Sequence, residues 1–538
     1  MKKILLSVIL LTLFTPKIKA DEGMWLPIFI ERLQNVDLEK MGLKLSPEEI
    51  YSVNNSSLKD AIVSFNGYCT GEVISKNGLL LTNHHCGFDA IQNHSTVEND
   101  LLENGFWAQN KNEELSNPGF YVDFLIKMED VTSLVIDDAV LGASDPNARD
   151  EAINSNINTI KTSQGLSGTE WVEVKSFFGG NEYYLFVYER FNDVRMVGAP
   201  PSSIGKYGGD TDNWMWPRHT GDFALFRVYM SPDGSGAEFS EENIPLEPKH
   251  HLPISLKGVE KEDFTMVFGY PGSTQRYLSS FGVKQALDKY NPTFVEIRTD
   301  VLEVLNKYMS EDPEIKIKYA SKKARVSNYW KYFIGQSKGL KALNVYDKKV
   351  KQEKEFTDYV NSSEKNKELY GNVLSDMEAA YKMLDEIVVP QVAIFEGGWR
   401  AADAISFSRS ANSLLKALED GDSESIEAAT ASLKESANEF FKEYDQVVDQ
   451  KLFAAGMSAY YSISPKEYVP KIIIDAMDKY KCAPKWAKKT YKKSIFVNKE
   501  RFMSFLENPS AKKIKNDPVF KIQSGIIVKL YKCAIEWC

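Results

Sequence analysis

The run Leu79-Leu-Leu-Thr82-Asn-His84-His85-Cys86-Gly87 carries an apolar strand into a polar turn that bears two histidines and a cysteine. Upstream, Glu72-Val-Ile-Ser75 and Lys76-Asn77-Gly78 complete a hairpin pattern, two apolar runs about an Asn-Gly pair whose residues both tolerate positive φ. Working outward, Tyr183–Tyr188, Phe223–Tyr229 and Phe264–Phe268 also read as strands, the last closed by Gly269-Tyr-Pro-Gly272. The chain changes character near residue 275. Beyond it Val373, Met377, Tyr381, Leu384 and Val388 recur at steps of three and four until Pro390. Ile426, Ala429, Leu433, Ala437 and Phe440 repeat the pattern after a Gly421-Asp422 start signal. The expected class is α+β, a β-rich part followed by a largely helical one.

The 538 residues allow two or more domains, and 43% apolar with 26% charged residues is ordinary for a globular chain. A net charge of −10 repels phosphate backbones and argues against nucleic acid as a partner. Residues 1–20 read as a secretory signal: Lys2 and Lys3, an apolar run Ile4 to Phe14, then Pro16 and a small Ala20 before a mature start at Asp21. That run is too short for a bilayer, which needs about 20 residues, and no later stretch is apolar enough to span one. Removing the signal takes four lysines (2, 3, 17 and 19) and no acid, so the mature charge is −14. Export implies an oxidising compartment in which disulfides persist. The five cysteines (69, 86, 482, 533 and 538) form no CxxC pair, and an odd number leaves at least one without an internal partner.

Histidine is the natural general base near neutral pH. Cys69, in Gly67-Tyr-Cys69-Thr-Gly71, lies 17 residues before Cys86, and a bridge between them would clamp the hairpin strand to the turn that presents His85. Adjacent histidines on an extended segment point to opposite sides, and no H-E-x-x-H helix is present, so His84, His85 and His94 make a poor metal site and none is expected. Thr-X-X-His-Cys at a strand end, with a cysteine shortly upstream, resembles the histidine region of chymotrypsin-like serine peptidases. Aligned on that pattern, His85 is the base.

A second cluster, Tyr207-Gly-Gly-Asp210-Thr-Asp212-Asn213-Trp214-Met-Trp216-Pro-Arg218-His219-Thr-Gly221-Asp222-Phe223, leads into a strand. An aspartate at a strand start can hold a histidine's Nδ1–H. Asp222 fits that role, with Asp210 and Asp212 as competitors on composition alone. Without a family match, Trp214 and Trp216 read as ordinary core packing.

GGDTDNWMWPRHTGDF, together with CTGEVIS, LTNHHCG and DEGMW, is similar to the bacterial dipeptidyl-peptidase 7 and 11 family of serine peptidases. The resemblance runs from residue 21 to at least 340. It implies a periplasmic, secreted or surface enzyme with a chymotrypsin-like double barrel and a large helical insert. Residues 21–275 would be the N-terminal part of the peptidase domain, and 276–538 the helical domain. By the same resemblance His85 and Asp222 are the triad base and its orienter, and Asn213, Trp214 and Asn328 hold the free α-amino group of a peptide substrate. No cofactor is implied, peptides with a free N-terminus are the expected partners, and a homodimer is left open.

The family's nucleophile lies in a Gly-Asn-Ser-Gly-Ser-Pro segment, and no such string occurs in the 538 residues. Ser167, in Gly165-Leu-Ser167-Gly168, reads as a loop residue. The second barrel is therefore expected to be missing, as in a fragment or a degenerate copy. The leading expectation is an exported serine-type dipeptidyl aminopeptidase whose serine is not in this chain. Its rivals are an inactive peptide-binding homologue and an endopeptidase.

Overall fold

The computed structural model describes residues 25–32 and 38–535. The signal segment, the mature start at Asp21 and Cys538 lie outside the described residues.

Among the described residues, eleven strands form one sheet: β1 Ile62–Phe65, β2 Cys69–Val73, β3 Leu79–Thr82, β4 Phe106–Trp107, β5 Leu115–Ser116, β6 Val122–Asp130, β7 Glu170–Phe177, β8 Glu182–Phe191, β9 Asp193–Ala199, β10 Ala224–Met230 and β11 Ile244–Pro245. Their order is an open path, β4-β9-β10-β3-β2-β1-β6-β8-β7, with β5 on β9 and β11 on β10. Every pairing is antiparallel. Alternation places Val63, Phe65, Leu80 and Phe226 in a fully buried cluster. Burying each such side chain contributes about 1.5–3 kcal/mol.

The hairpin turns where the Asn-Gly pair predicts, but the link is residues 74–78, closed by Ile74 N–H donating to Leu79 O at 2.8 Å. Only Gly78 takes positive φ (65°) there, and a Cβ on it would meet Val228 O at 2.7 Å. The run 264–268 is not a strand. Val267 is fully exposed, and none of the described residues pairs with its backbone, so an extended run has no ladder to join.

From Ser280 onward the structure is helical, as the periodicity predicts. The helices that matter below are α1 Phe88–Asn93, α2 Pro146–Thr162, α3 Asn291–Glu311, α4 Ala320–Ala342, α5 Val373–Ala393 and α6 Ser423–Glu443. Asp422 caps α6 by accepting from Ser425 N–H, behind Gly421 at φ 73°. Pro390 does not stop α5. It is buried inside the helix, which runs on into a π-helical turn, Ile394–Arg400. The missing N–H is a local cost, and burial of Val388, Val392 and Ala393 in the helical core carries the chain past it.

The helical part docks on the sheet through α1, the turn of helix that follows Cys86. Gln92 accepts from Ser321 N–H at 2.6 Å and donates to Lys318 O at 3.2 Å. Asp89 takes Ser321 Oγ–H and pairs with Arg325 at 3.1 Å. The start of α4 is thereby fixed beside the His85 turn.

Candidate active site

The site is built by register. β10 pairs with β3 so that Ala224 faces Thr82. Two residues further out, Asp222 reaches the His84–His85 turn. His85 Nδ1 lies 2.8 Å from Asp222 Oδ2, His85 N–H donates to Asp222 Oδ1 at 3.1 Å, and Asn83 Nδ2 donates to the Asp222 carbonyl at 3.1 Å. Asp222 is largely buried whereas the His85 ring is 66% exposed, so the carboxylate backs a ring that faces outward. Burial works to raise the Asp222 pKa. The bonds and charge of His85, with Arg218 at 3.7 Å, outweigh it and hold the carboxyl below its usual range.

His84 points the other way. It is buried against Phe88 and Gly205, and a Cβ on Gly205 would overlap the imidazole. Burial holds its pKa down at about 4, against the pull of Asp222. Cys69 and Cys86 form a disulfide with Cα atoms 6.1 Å apart, tying β2 to the turn behind His85. Tyr68 adds a hydroxyl hydrogen bond to the Cys86 carbonyl.

Asp210 and Asp212, the competing aspartates, do not face His85 in any hydrogen bond among the described residues. Asp210 accepts from Ser327 Oγ at 3.1 Å and lies 3.5 Å from Lys206. Ser167 stands in the turn before β7, five strands along the sheet from β3, and its N–H donates to Glu170. His94 is spent on Ser116 O and Asn117.

The second cluster closes onto α4. Asn213 Nδ2 donates to Asn328 Oδ1 at 2.9 Å, and Trp214 Nε1 donates to the same oxygen at 3.0 Å and to the Asn328 carbonyl at 3.1 Å. Tyr332, one helical turn beyond Asn328, packs on Trp214 with ring centroids 4.9 Å apart. Trp214 holds φ 57°, a conformation costly for a bulky residue and kept here by these contacts. Neither tryptophan is core: Trp214 is half exposed and Trp216 is 88% exposed. The sequence reading missed Arg218 and Tyr332. The first sits inside the Trp-Pro-Arg-His string, and the second could have been found by counting one turn from Asn328. The two assemblies offer an oriented base and, separately, amide groups beside an exposed indole face.

The family profile described as Peptidase S46 matches residues 20–534. The chain belongs to the Peptidase S46 family. Among its relatives, an Asp/Glu-specific dipeptidyl-peptidase of Flavobacterium psychrophilum is 42% identical over 506 residues, covering 94% of this chain and 70% of that protein. A dipeptidyl-peptidase 7 of Capnocytophaga gingivalis is 38% identical over 542 residues, covering 100% of this chain and 75% of that protein. The crystal structure of Porphyromonas endodontalis DPP11 in complex with the dipeptide Arg-Glu matches with TM-score 0.82 at 33% identity, over 96% of this chain and 74% of that one. The mixed architecture, a large antiparallel sheet joined to many helices, is thus shared with an S46 peptidase.

Proposed function

We propose that this chain supplies the general base, its orienter and the amine-recognition site of an exported serine-type dipeptidyl peptidase acting on peptides with a free N-terminus. The observation that carries the reading is the 2.8 Å contact of His85 Nδ1 with Asp222 in a member of the S46 family. In the working enzyme a serine, from the Gly-Asn-Ser-Gly-Ser-Pro segment that these 538 residues do not contain, attacks the carbonyl of the second residue. His85 Nε2 takes its proton and passes it to the leaving amine as the acyl-enzyme forms; water then repeats the cycle. Asp222 keeps the proton of the neutral ring on Nδ1 and stabilises the imidazolium. Asn213, Trp214 and Asn328 measure two residues from the charged N-terminus, with amide acceptors and an aromatic face for the ammonium group.

The sheet is read as the first barrel of a chymotrypsin-like pair and the helical part as its insert. The base at the end of β3 and the aspartate at the start of β10 support this. The basic-then-apolar segment 1–20 and the Cys69–Cys86 disulfide support export to the periplasm or cell surface. No helix among the described residues is long and apolar enough to cross a membrane.

A second reading is a peptide-binding protein without turnover, which would use the Asn213, Trp214 and Asn328 cluster alone. Comparing unblocked with N-acetylated peptidyl-coumarins tests both readings against an endopeptidase, which tolerates the acetyl group. In the polypeptide extended through the segment its longer relatives carry, a dipeptidyl peptidase releases coumarin from the unblocked substrate alone, and a binding protein releases none.

A further inference from the structure

Asn328 must be held to within about 0.5 Å for its oxygen to serve Asn213 and Trp214 and leave the amine site in shape. The device that holds it lies on the far side of α4. Arg298, on α3, is buried, and its Nη1 donates to the carbonyls of Arg325 at 3.2 Å and Val326 at 3.0 Å, in the turn of α4 that carries Asn328. Those carbonyls already accept from the helix's own ladder. The extra donor therefore locks this turn against α3 rather than satisfying an orphan. The next residue, Thr299, accepts from Trp330 Nε1 at 2.9 Å, so two neighbours on α3 grip α4 just before and just after Asn328. Tyr329 and Phe294 flank the guanidinium at 5.4 and 5.6 Å.

A buried guanidinium needs a counter-charge. Glu396, from the π-helical turn after α5, places Oε2 2.8 Å from Arg298 Nε; both side chains are about nineteen-twentieths buried. The Nε–H makes no directed hydrogen bond, so the contact is one of charge. It matters because an uncompensated cation under α4 would also oppose binding of an ammonium group at Asn328.

We infer that Arg298, neutralised by Glu396, is a positioning residue that sets the depth of Asn328 in the amine site. The inference rests on the amine-site reading proposed above. The test uses the 538-residue chain. Arg298→Met with Glu396→Gln removes the clamp without leaving a lone buried charge. Arg298→Lys keeps a charge facing Glu396, but its single nitrogen cannot occupy both the Nε position beside Glu396 and the Nη1 position that serves the two carbonyls. The readouts are the ¹⁵N–¹H resonance of the Trp214 indole, identified with Trp214→Phe, and calorimetric binding of the dipeptide Arg-Glu. In both variants the indole resonance moves toward its position in Asn328→Ala, and Arg-Glu binds about tenfold more weakly, the loss of one hydrogen bond to a charged group. A folded variant with the parent's indole resonance and affinity overturns the inference; should the double variant not fold, Arg298→Lys decides alone. If Asn328→Ala leaves Arg-Glu binding untouched, it is the amine-site reading that falls, and the indole resonance still decides whether Arg298 positions Asn328.

Discussion

Asp222 holds His85 twice: its Oδ2 faces the ring Nδ1 at 2.8 Å, and its Oδ1 accepts the backbone N–H of the same residue at 3.1 Å. One carboxylate thus fixes the ring's tautomer and the turn that carries it. Replacing it by asparagine puts an amide N–H against Nδ1 and favours the wrong tautomer. In a polypeptide extended through the segment that the longer relatives carry, Asp222→Asn is expected to lower kcat about 10⁴-fold with little change in KM. Steady-state kinetics on an unblocked dipeptidyl-coumarin measures both.

His84 gives a pH prediction of its own. Folded, its buried imidazole is neutral down to about pH 4. Unfolded, it takes a proton near its ordinary pKa of about 6.5. The unfolded state therefore binds more protons between those values, and stability falls as pH drops from about 6.5 toward 4. Urea midpoints of the parent and of His84→Asn, measured at intervals from pH 7.5 to 4.5, should converge as the pH falls.

The Cys69–Cys86 bridge joins two residues 17 positions apart in the chain, behind His85. Loop closure of that size stabilises by about 3 kcal/mol in the chain-entropy account. The Cys69→Ala, Cys86→Ala variant is expected to unfold at correspondingly lower urea. Its His85 ring resonances should broaden, since the turn loses its tether to β2.

Asn213 is expected to act on binding rather than on chemistry. Its amide donates to Asn328 Oδ1, the oxygen that also accepts from Trp214 Nε1, and it makes no hydrogen bond to His85 among the described residues. In the extended polypeptide Asn213→Ala should raise KM for unblocked substrates about tenfold, the cost of one charge-assisted hydrogen bond. The kcat should change far less.

Much of this was legible in the sequence because local signals and tertiary placement agreed. The hairpin into His85, the strand after Asp222 and the capped helix from Ser423 each follow from turn chemistry and period. The choice of Asp222 over Asp210 and Asp212 was not local. It depends on the register of β10 on β3, which no single segment encodes. α2 was missed although Asp145 caps it and Pro146 opens it, because its apolar stripe is weak: only Ile153 and Ile160 are buried. Pro390 misled because its cost to a helix is local, whereas the burial that outweighs it is tertiary. The run 264–268 misled in the opposite sense, since strand character without a pairing partner does not make a strand.

The most direct test of the account measures coumarin release from unblocked and N-acetylated dipeptidyl substrates by two polypeptides: the 538-residue chain, and the same chain extended through the segment its longer relatives carry. The account predicts serine-inhibitor-sensitive release by the extended polypeptide from unblocked substrate only, abolished by His85→Ala, and none by the 538-residue chain. Inhibitor-sensitive release by the 538-residue chain itself would contradict it and place the nucleophile among serines already present, Ser167 first.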